Sequence, residues 1–207
     1  MMVMMQMSKG RLFIISGPSG SGKDTVLSEL FKLYPDIKFS ISSITRPMRG
    51  GEKPGEKYNF ILKDDFEKMI ESDELLEYNV YLDNYYGTPK APVIDAINNG
   101  ADIIVEVDVN GAAQIREKMP ECTSIFILPP SLDVLKKRLC SRGTESDEKI
   151  TRRLDCAIGE IKRATEYDYV VVNDNIDIAV RKLSDIIRTD RYKADRNLTL
   201  INEIINR

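Results

Sequence analysis
A chain of 207 residues, 42% apolar and 30% charged, has the length and balance of one compact α/β domain with insertions. Its formal net charge of −3 supplies no overall basic field for nucleic acid, so any anion binding rests on a local cluster. No apolar run reaches membrane-span length, no histidine is present for base catalysis or metal binding, and Cys122, Cys140 and Cys156 have neither metal nor disulfide spacing, a usage that points to the cytoplasm.

The first eight residues, apolar but too short for a signal peptide, read as a disordered leader. Leu12–Ser16 then reads as a buried strand. It runs into Gly17-Pro18-Ser19-Gly20-Ser21-Gly22-Lys23-Asp24-Thr25. Val26, Leu27, Leu30, Phe31 and Tyr34 follow at the spacing of an amphipathic helix. A glycine-rich turn between strand and helix, with a lysine at the helix start, is the context of a phosphate-binding P-loop. Glycines let main-chain N–H groups curl around phosphate oxygens, the helix N-terminus adds partial positive charge, and Lys23 adds a full one. A nucleoside triphosphate is the ligand this predicts. The bland alternative, a glycine-rich turn without a ligand, fits the lysine and the flanks poorly.

From about Ser40 to Asn84 the rhythm breaks into a polar stretch rich in Gly, Pro and Tyr. Short alternating runs at Tyr58–Leu62 and Leu75–Leu82, with a helix near Asp64–Glu71, predict a small insertion of strands packed on a helix. Ser42, Arg46, Arg49, Tyr58, Tyr85 and Tyr86 crowd into it. Guanidinium forks and phenol hydroxyls suit a phosphomonoester; idle surface arginines and core tyrosines are the plainer reading. Glu77 lies within the apolar run Leu75–Val80, where an ionised carboxylate needs partners. Guanine offers two adjacent donors to such an acceptor, and adenine does not. An edge-strand glutamate facing water is the competing reading.

Strands are next predicted at Ile103–Val107, Ser124–Leu128 and Tyr169–Val172. Leu132, Leu135 and Leu139 mark one helix; Ile176, Ala179, Val180, Leu183 and Ile187 mark another. Continuous apolar strands alternating with helices predict a three-layer α/β fold, a parallel sheet covered by helices, with ligands beyond the carboxyl ends of the strands. The polar segment Ser141–Ile150 reads either as a mobile lid or as a solvated connection. Leu198, Ile201, Ile204 and Ile205 give the tail a helical apolar stripe, which leaves internal packing and a homo-oligomer interface both open.

In combination these motifs resemble the guanylate kinases, of the nucleoside-monophosphate kinase group. The P-loop matches at Gly17–Thr25. The acceptor signature resembles the run from Thr45 through Arg46, Arg49, Glu52, Gly55 and Tyr58 to Phe60, and the base-reading glutamate falls at Glu77. Tyr86-Gly87-Thr88, the segment Glu106-Val107-Asp108 through Gly111, the lid residues Arg138, Arg142-Gly143-Thr144-Glu145 and Arg153, and Val172-Asn173-Asp174 complete the likeness. The resemblance implies that ATP and GMP give ADP and GDP with Mg2+, and no nucleic-acid or membrane partner. It implies a P-loop core at 9–39 and 92–207 with a lid about 141–150, and a GMP-binding insertion at 40–91. It implies that Gly17–Thr25, Arg138 and Asn173 contact ATP. Ser42, Glu77 and Thr88 would contact guanine, and Arg46, Arg49, Tyr58 and Tyr86 the GMP phosphate, with Glu106 and Asp108 also in the GMP site. Lys23, Arg46, Arg142 and Arg153 would be catalytic, and Thr25 and Asp108 would reach the metal, mostly through water.

Three residues depart from the pattern. Asp24 stands where many P-loops carry a magnesium-binding hydroxyl, Glu106 stands for a usual aspartate, and Ile44 for a frequent threonine. A guanylate-kinase-like protein-binding module would lose the P-loop lysine, whereas Lys23 is intact. A kinase for AMP or dTMP is opposed by Glu77 and the Arg46–Tyr58 signature.

Overall fold
All five residues of β1 (Leu12–Ser16) are buried, because both faces of the strand are covered. Side chains alternate across it: Leu12 and Ile14 join one apolar cluster, Phe13 and Ile15 the other. A computed structural model describes residues 9–140 and 147–206, with residue 147 described in its backbone only; the leader at 1–8 and positions 141–146 of the expected lid lie outside the described residues.

After β1 come α1 (Lys23–Leu33), β2 (Lys38–Phe39), β3 (Ser42–Ile44), β4 (Tyr58–Phe60), α2 (Lys63–Glu71), β5 (Leu75–Tyr81), β6 (Asn84–Pro89) and α3 (Lys90–Asn98). The second half holds β7 (Ile103–Glu106), α4 (Val109–Lys118), β8 (Thr123–Leu128), α5 (Leu132–Cys140), α6 (Asp147–Lys162), β9 (Tyr169–Val172), α7 (Ile176–Asp190) and α8 (Leu198–Ile205). Strands β2, β7, β1, β8 and β9 form, in that order, a wholly parallel sheet. Helix α4 packs on one face through Val109, Ala112 and Ile115. Helices α1 and α7 cover the other through Val26, Leu30, Ala179 and Leu183. The fold is thus the three-layer α/β arrangement that the strand pattern predicts. Each expected core strand is present within one residue: β7 ends at Glu106, one short of Val107, and β8 begins one earlier, at Thr123.

A second sheet, ordered β4-β3-β6-β5, is mixed. Its hairpin turns at Leu82 and Asp83, both at positive φ, 47° and 61°, as a tight two-residue turn requires. The register shifts between Leu75 and Glu77, so Leu75, Leu76 and Glu77 are all buried where strict alternation would expose one of them. Gly87 lies beneath the Phe66 ring; an added Cβ would meet Phe66 Cζ at 2.8 Å and the Glu77 carbonyl at 2.9 Å. Gln114 on α4 ties this sheet to the core, donating to Tyr78 O at 2.9 Å and accepting from Tyr78 N–H at 3.2 Å.

The amino-terminal ends of the parallel strands carry a charge network. Arg11, 6% exposed, donates to both Asp102 oxygens, to Ile187 O and to Asp190. The fully buried Asp190 carboxylate also accepts from Thr123 at 2.6 Å and pairs with Lys193 at 2.8 Å and Arg196 at 2.6 Å. The tail beyond it forms α8, whose Leu198, Ile201, Ile204 and Ile205 are exposed, so packing within the chain does not bury that stripe.

Removing one member of a buried ion network strands the others, at ~3–5 kcal/mol. Asp190→Ala is therefore expected to lower the unfolding free energy by that order. Nucleotide affinities should stay unchanged, since the network lies at the end of the sheet away from the P-loop. Denaturant melts with parallel nucleotide titrations check both parts.

Candidate functional site
Because the core sheet is parallel, Ser16, Glu106, Leu128 and Val172 all end at one edge, and the glycine-rich turn opens there. Gly22 is the residue before α1, at φ 84°; a Cβ there would run into Asn173 Nδ2. Ser21 N–H donates to Pro18 O at 3.0 Å, which closes the turn. Gly20 packs against Leu135 and Leu139 of α5. The carbonyl of Ser21 accepts from Asn173 Nδ2 at 2.8 Å and from Arg138 Nη1 at 3.1 Å, and Arg138 Nη2 reaches Asn173 O at 3.1 Å. Arg153, on α6, donates to Ser19 Oγ at 2.6 Å. Three separate elements thus brace the turn.

A cavity of about 410 Å3 opens in front of it. Gly17, Ser19 and Lys23 line its core side; Ser42, Arg46, Arg49, Tyr58, Glu77 and Tyr86 line the side built by the second sheet, and Glu106 and Asp108 lie between. Of the other expected contacts, Thr88 is fully buried behind Glu77, while Arg138 and Asn173 bond the turn from outside the cavity lining. Asp24 and Thr25 are exposed in the first turn of α1. Arg142 lies outside the described residues.

Several of the charges are paired. Glu106, at the end of β7, sets Oε1 3.6 Å from Lys23 Nζ and Oε2 2.9 Å from Lys57 Nζ. Lys57 also meets Asp24 Oδ1 at 2.9 Å. Some loss of solvation works against ionised Asp24, but the Lys57 ammonium beside it, with Lys23 further off, holds it at about 2. Burial pushes Glu106 upward, with Lys23 and Lys57 pulling the other way. Arg46, 8% exposed, grips both oxygens of Glu52, at 2.7 and 2.6 Å, and packs over the rings of Tyr58 and Phe60. That grip, with the N–H of Arg49, lowers the Glu52 carboxyl to about 2. The arginine is therefore held in place by an acid before any ligand arrives.

Glu77 is 5% exposed, and Oε1 accepts from Thr88 Oγ1 at 2.7 Å. Helix α4 approaches its other oxygen at Gly111, where a Cβ would stand 2.6 Å from Oε2. Asp108 caps that helix, accepting from Asn110 N–H at 2.9 Å and Gly111 N–H at 2.8 Å, and its second oxygen takes Asn79 Nδ2 at 2.7 Å. Desolvation, reinforced by Asp108, raises the Glu77 carboxyl to about 7, against the pull of Thr88. An acceptor buried with one hydroxyl partner is built to receive further donors.

Four further residues belong to this site. Asn79 lines the cavity and holds Asp108. Glu52 and Lys57 supply partners for Arg46 and Glu106. Both lie within the acceptor signature, but their pairing is a matter of geometry. Glu160, on α6 two turns after Arg153 and so on the same helix face, lines the cavity as well; that seven-residue spacing was the available signal.

Comparison with known proteins gives one answer. The guanylate kinase family model matches residues 9–190. The guanylate kinase of Oceanobacillus iheyensis is 48% identical over 188 residues, covering 91% of this chain and 91% of its own. That of Clostridioides difficile (strain 630) is 44% identical over 199 residues, covering 96% and 97%. Among solved structures, the crystal structure of guanylate kinase from Anaplasma phagocytophilum superimposes with a TM-score of 0.76 at 32% identity, over 91% of this chain and 90% of that one.

The raised Glu77 carboxyl carries a stability prediction. The unfolded chain ionises it near the ordinary 4.5, whereas the fold keeps it protonated to about 7. Ionisation therefore erodes stability as pH rises between those values, and the full penalty stands above 7. At ~1.4 kcal/mol per unit, Glu77→Gln should gain on the order of 3 kcal/mol at pH 8 and little at pH 4.5. Melts at both pH values check it; an equal shift at both contradicts the assignment.

Proposed function
Because the chain belongs to the guanylate kinase family, we propose that it transfers the terminal phosphoryl group of ATP to GMP, giving ADP and GDP. One observation carries this reading: the buried carboxylate of Glu77 faces the same cavity as Lys23 and the glycine-rich turn.

The donor and acceptor take opposite walls. Main-chain N–H groups of the glycine-rich turn, Pro18 having none, and of the start of α1 cradle the ATP phosphates, and Lys23 reaches the outer ones. Asn173 and Arg138 hold the turn in shape from behind, on the side given to the adenine. Glu77 accepts from guanine N1–H and the exocyclic amine, with Thr88 fixing one carboxylate oxygen and Ser42 nearby. Adenine would leave that acceptor unmet, and the site rejects it for that reason. Arg46, Arg49, Tyr58 and Tyr86 hold the GMP phosphate, the first already oriented by Glu52. Lys23, Arg46 and Arg153 then surround the group in flight, where phosphoryl transfer needs positioning and positive charge more than a base.

Magnesium accompanies ATP in this scheme. Among the described residues no three acidic, cysteine or histidine side chains form a metal cage. The residues present fit an ion carried by phosphate and water, since Mg2+ keeps several of its waters. Glu106 and Asp108 would accept from those waters; Thr25 stands further out, beyond the cavity lining. When bound, the ion neutralises phosphate charge. We assign the P-loop core to 9–39 and 92–207 and the acceptor segment to 40–91. Three free thiols, two of them exposed, suit a cytoplasmic enzyme.

ADP release, measured with GMP, AMP, dTMP and UMP in turn, should be rapid with GMP alone. Lys23→Ala should keep GMP affinity and lose about 10²–10³ in kcat; wild-type turnover would refute its role. Glu77→Gln should weaken GMP about tenfold or more, the worth of one charged hydrogen bond, while ATP affinity holds. Equal losses for both nucleotides would mean that Glu77 does not read the base.

A further inference from the structure
Asp24 puts a negative charge in the first turn of α1, beside the lysine and the main-chain amides that face the donor phosphates. A helix N-terminus tolerates an anion there, but a triphosphate arriving at the same point is repelled by it. The structure supplies the compensation from elsewhere in the chain. Lys57, 33 residues on and next to Tyr58, brings Nζ to 2.9 Å from Asp24 Oδ1 and to 2.9 Å from Glu106 Oε2. Glu106 in turn holds Lys23 with its other oxygen. Asp24, Lys57, Glu106 and Lys23 thus form an alternating row of two anions and two cations. An exposed lysine–aspartate pair alone contributes little. Here the shared carboxylate, Glu106, is only 10% exposed, which fixes the lysine at the cavity wall.

We infer that Lys57 is a positioning residue for the donor nucleotide: it cancels the charge of Asp24 and shares Glu106, so that Lys23 keeps its charge for the outer phosphates. This rests on the reading of Gly17–Thr25 as the ATP site. Without Lys57, two carboxylates face Lys23 and the incoming phosphates. The acceptor segment therefore contributes a residue to the donor pocket, and a departure in the P-loop is matched by a lysine just before β4.

The test is a double-mutant cycle read by binding, not turnover. Calorimetry with magnesium and a non-hydrolysable ATP analogue, without GMP, compares wild type, Lys57→Met, Asp24→Asn and the double variant. Lys57→Met should bind about tenfold weaker or worse, and Asp24→Asn in the same chain should return affinity to within about threefold of wild type. Lys57→Arg should keep most of the affinity. Unchanged binding by Lys57→Met, or a double variant as weak as the single, overturns the inference. Thermal midpoints verify folding, and Lys57→Gln replaces Met in the cycle should Met fail to fold. A wild-type chain that binds no ATP analogue sinks the donor-site reading along with this inference. One that binds it but releases no ADP with GMP refutes only the proposed reaction.

Discussion
Glu106 is the point on which the two halves of the site meet. It ends a strand of the parallel sheet, yet its two carboxylate oxygens address lysines from different structures: Lys23 from the helix after the glycine-rich turn, and Lys57 from the edge of the second sheet. A parallel sheet delivers the loop after each strand to its carboxyl edge, so the glycine-rich turn and Glu106 share that edge by topology. The second sheet has no such constraint. It is fastened instead by Lys57, by the Gln114 bridge to Tyr78, and by α4 lying against β5. Together these contacts make one cavity out of two architectures.

Within that cavity the second constraint is the burial of Glu77. A register shift turns Leu76 and Glu77 inward together, and Gly111 leaves room beside the carboxylate. Thr88 gives it one hydrogen bond. Such a group weakens the empty fold at neutral pH, and donors beyond Thr88 have to come from a ligand, so base selection as proposed and the fall in stability with rising pH would share one cause. The arginine on the facing wall follows the opposite logic. Arg46 is satisfied in advance by Glu52 and arrives oriented.

Much of this was legible beforehand. The core strands follow from unbroken apolar runs, and the glycine-rich turn from its spacing and flanks. Glu77 stood out because a carboxylate in an apolar run demands a reason. The hairpin strand β6 was harder, since Asn84–Pro89 mixes Gly, Pro and aromatic residues, and its pairing depends on a turn with two non-glycine residues at positive φ. The edge strand β2 is two residues long and carries no periodicity. Lys57 and Glu52 fell within the acceptor signature but without a role of their own, for the partner of a charged side chain has no signature in one dimension. The departure at Asp24 was visible as an anomaly; its partner emerged only when the second sheet was folded against the first.

The claim that most needs testing is that the phosphate-cradling turn and the base-selecting carboxylate open on a single space. A bisubstrate compound, adenosine and guanosine joined through their 5′ oxygens by a polyphosphate chain, addresses it directly by competitive titration. One molecule per chain should displace both a bound ATP analogue and bound GMP. Displacement of only one of them, or binding of two molecules per chain, would show two separate pockets and contradict the account.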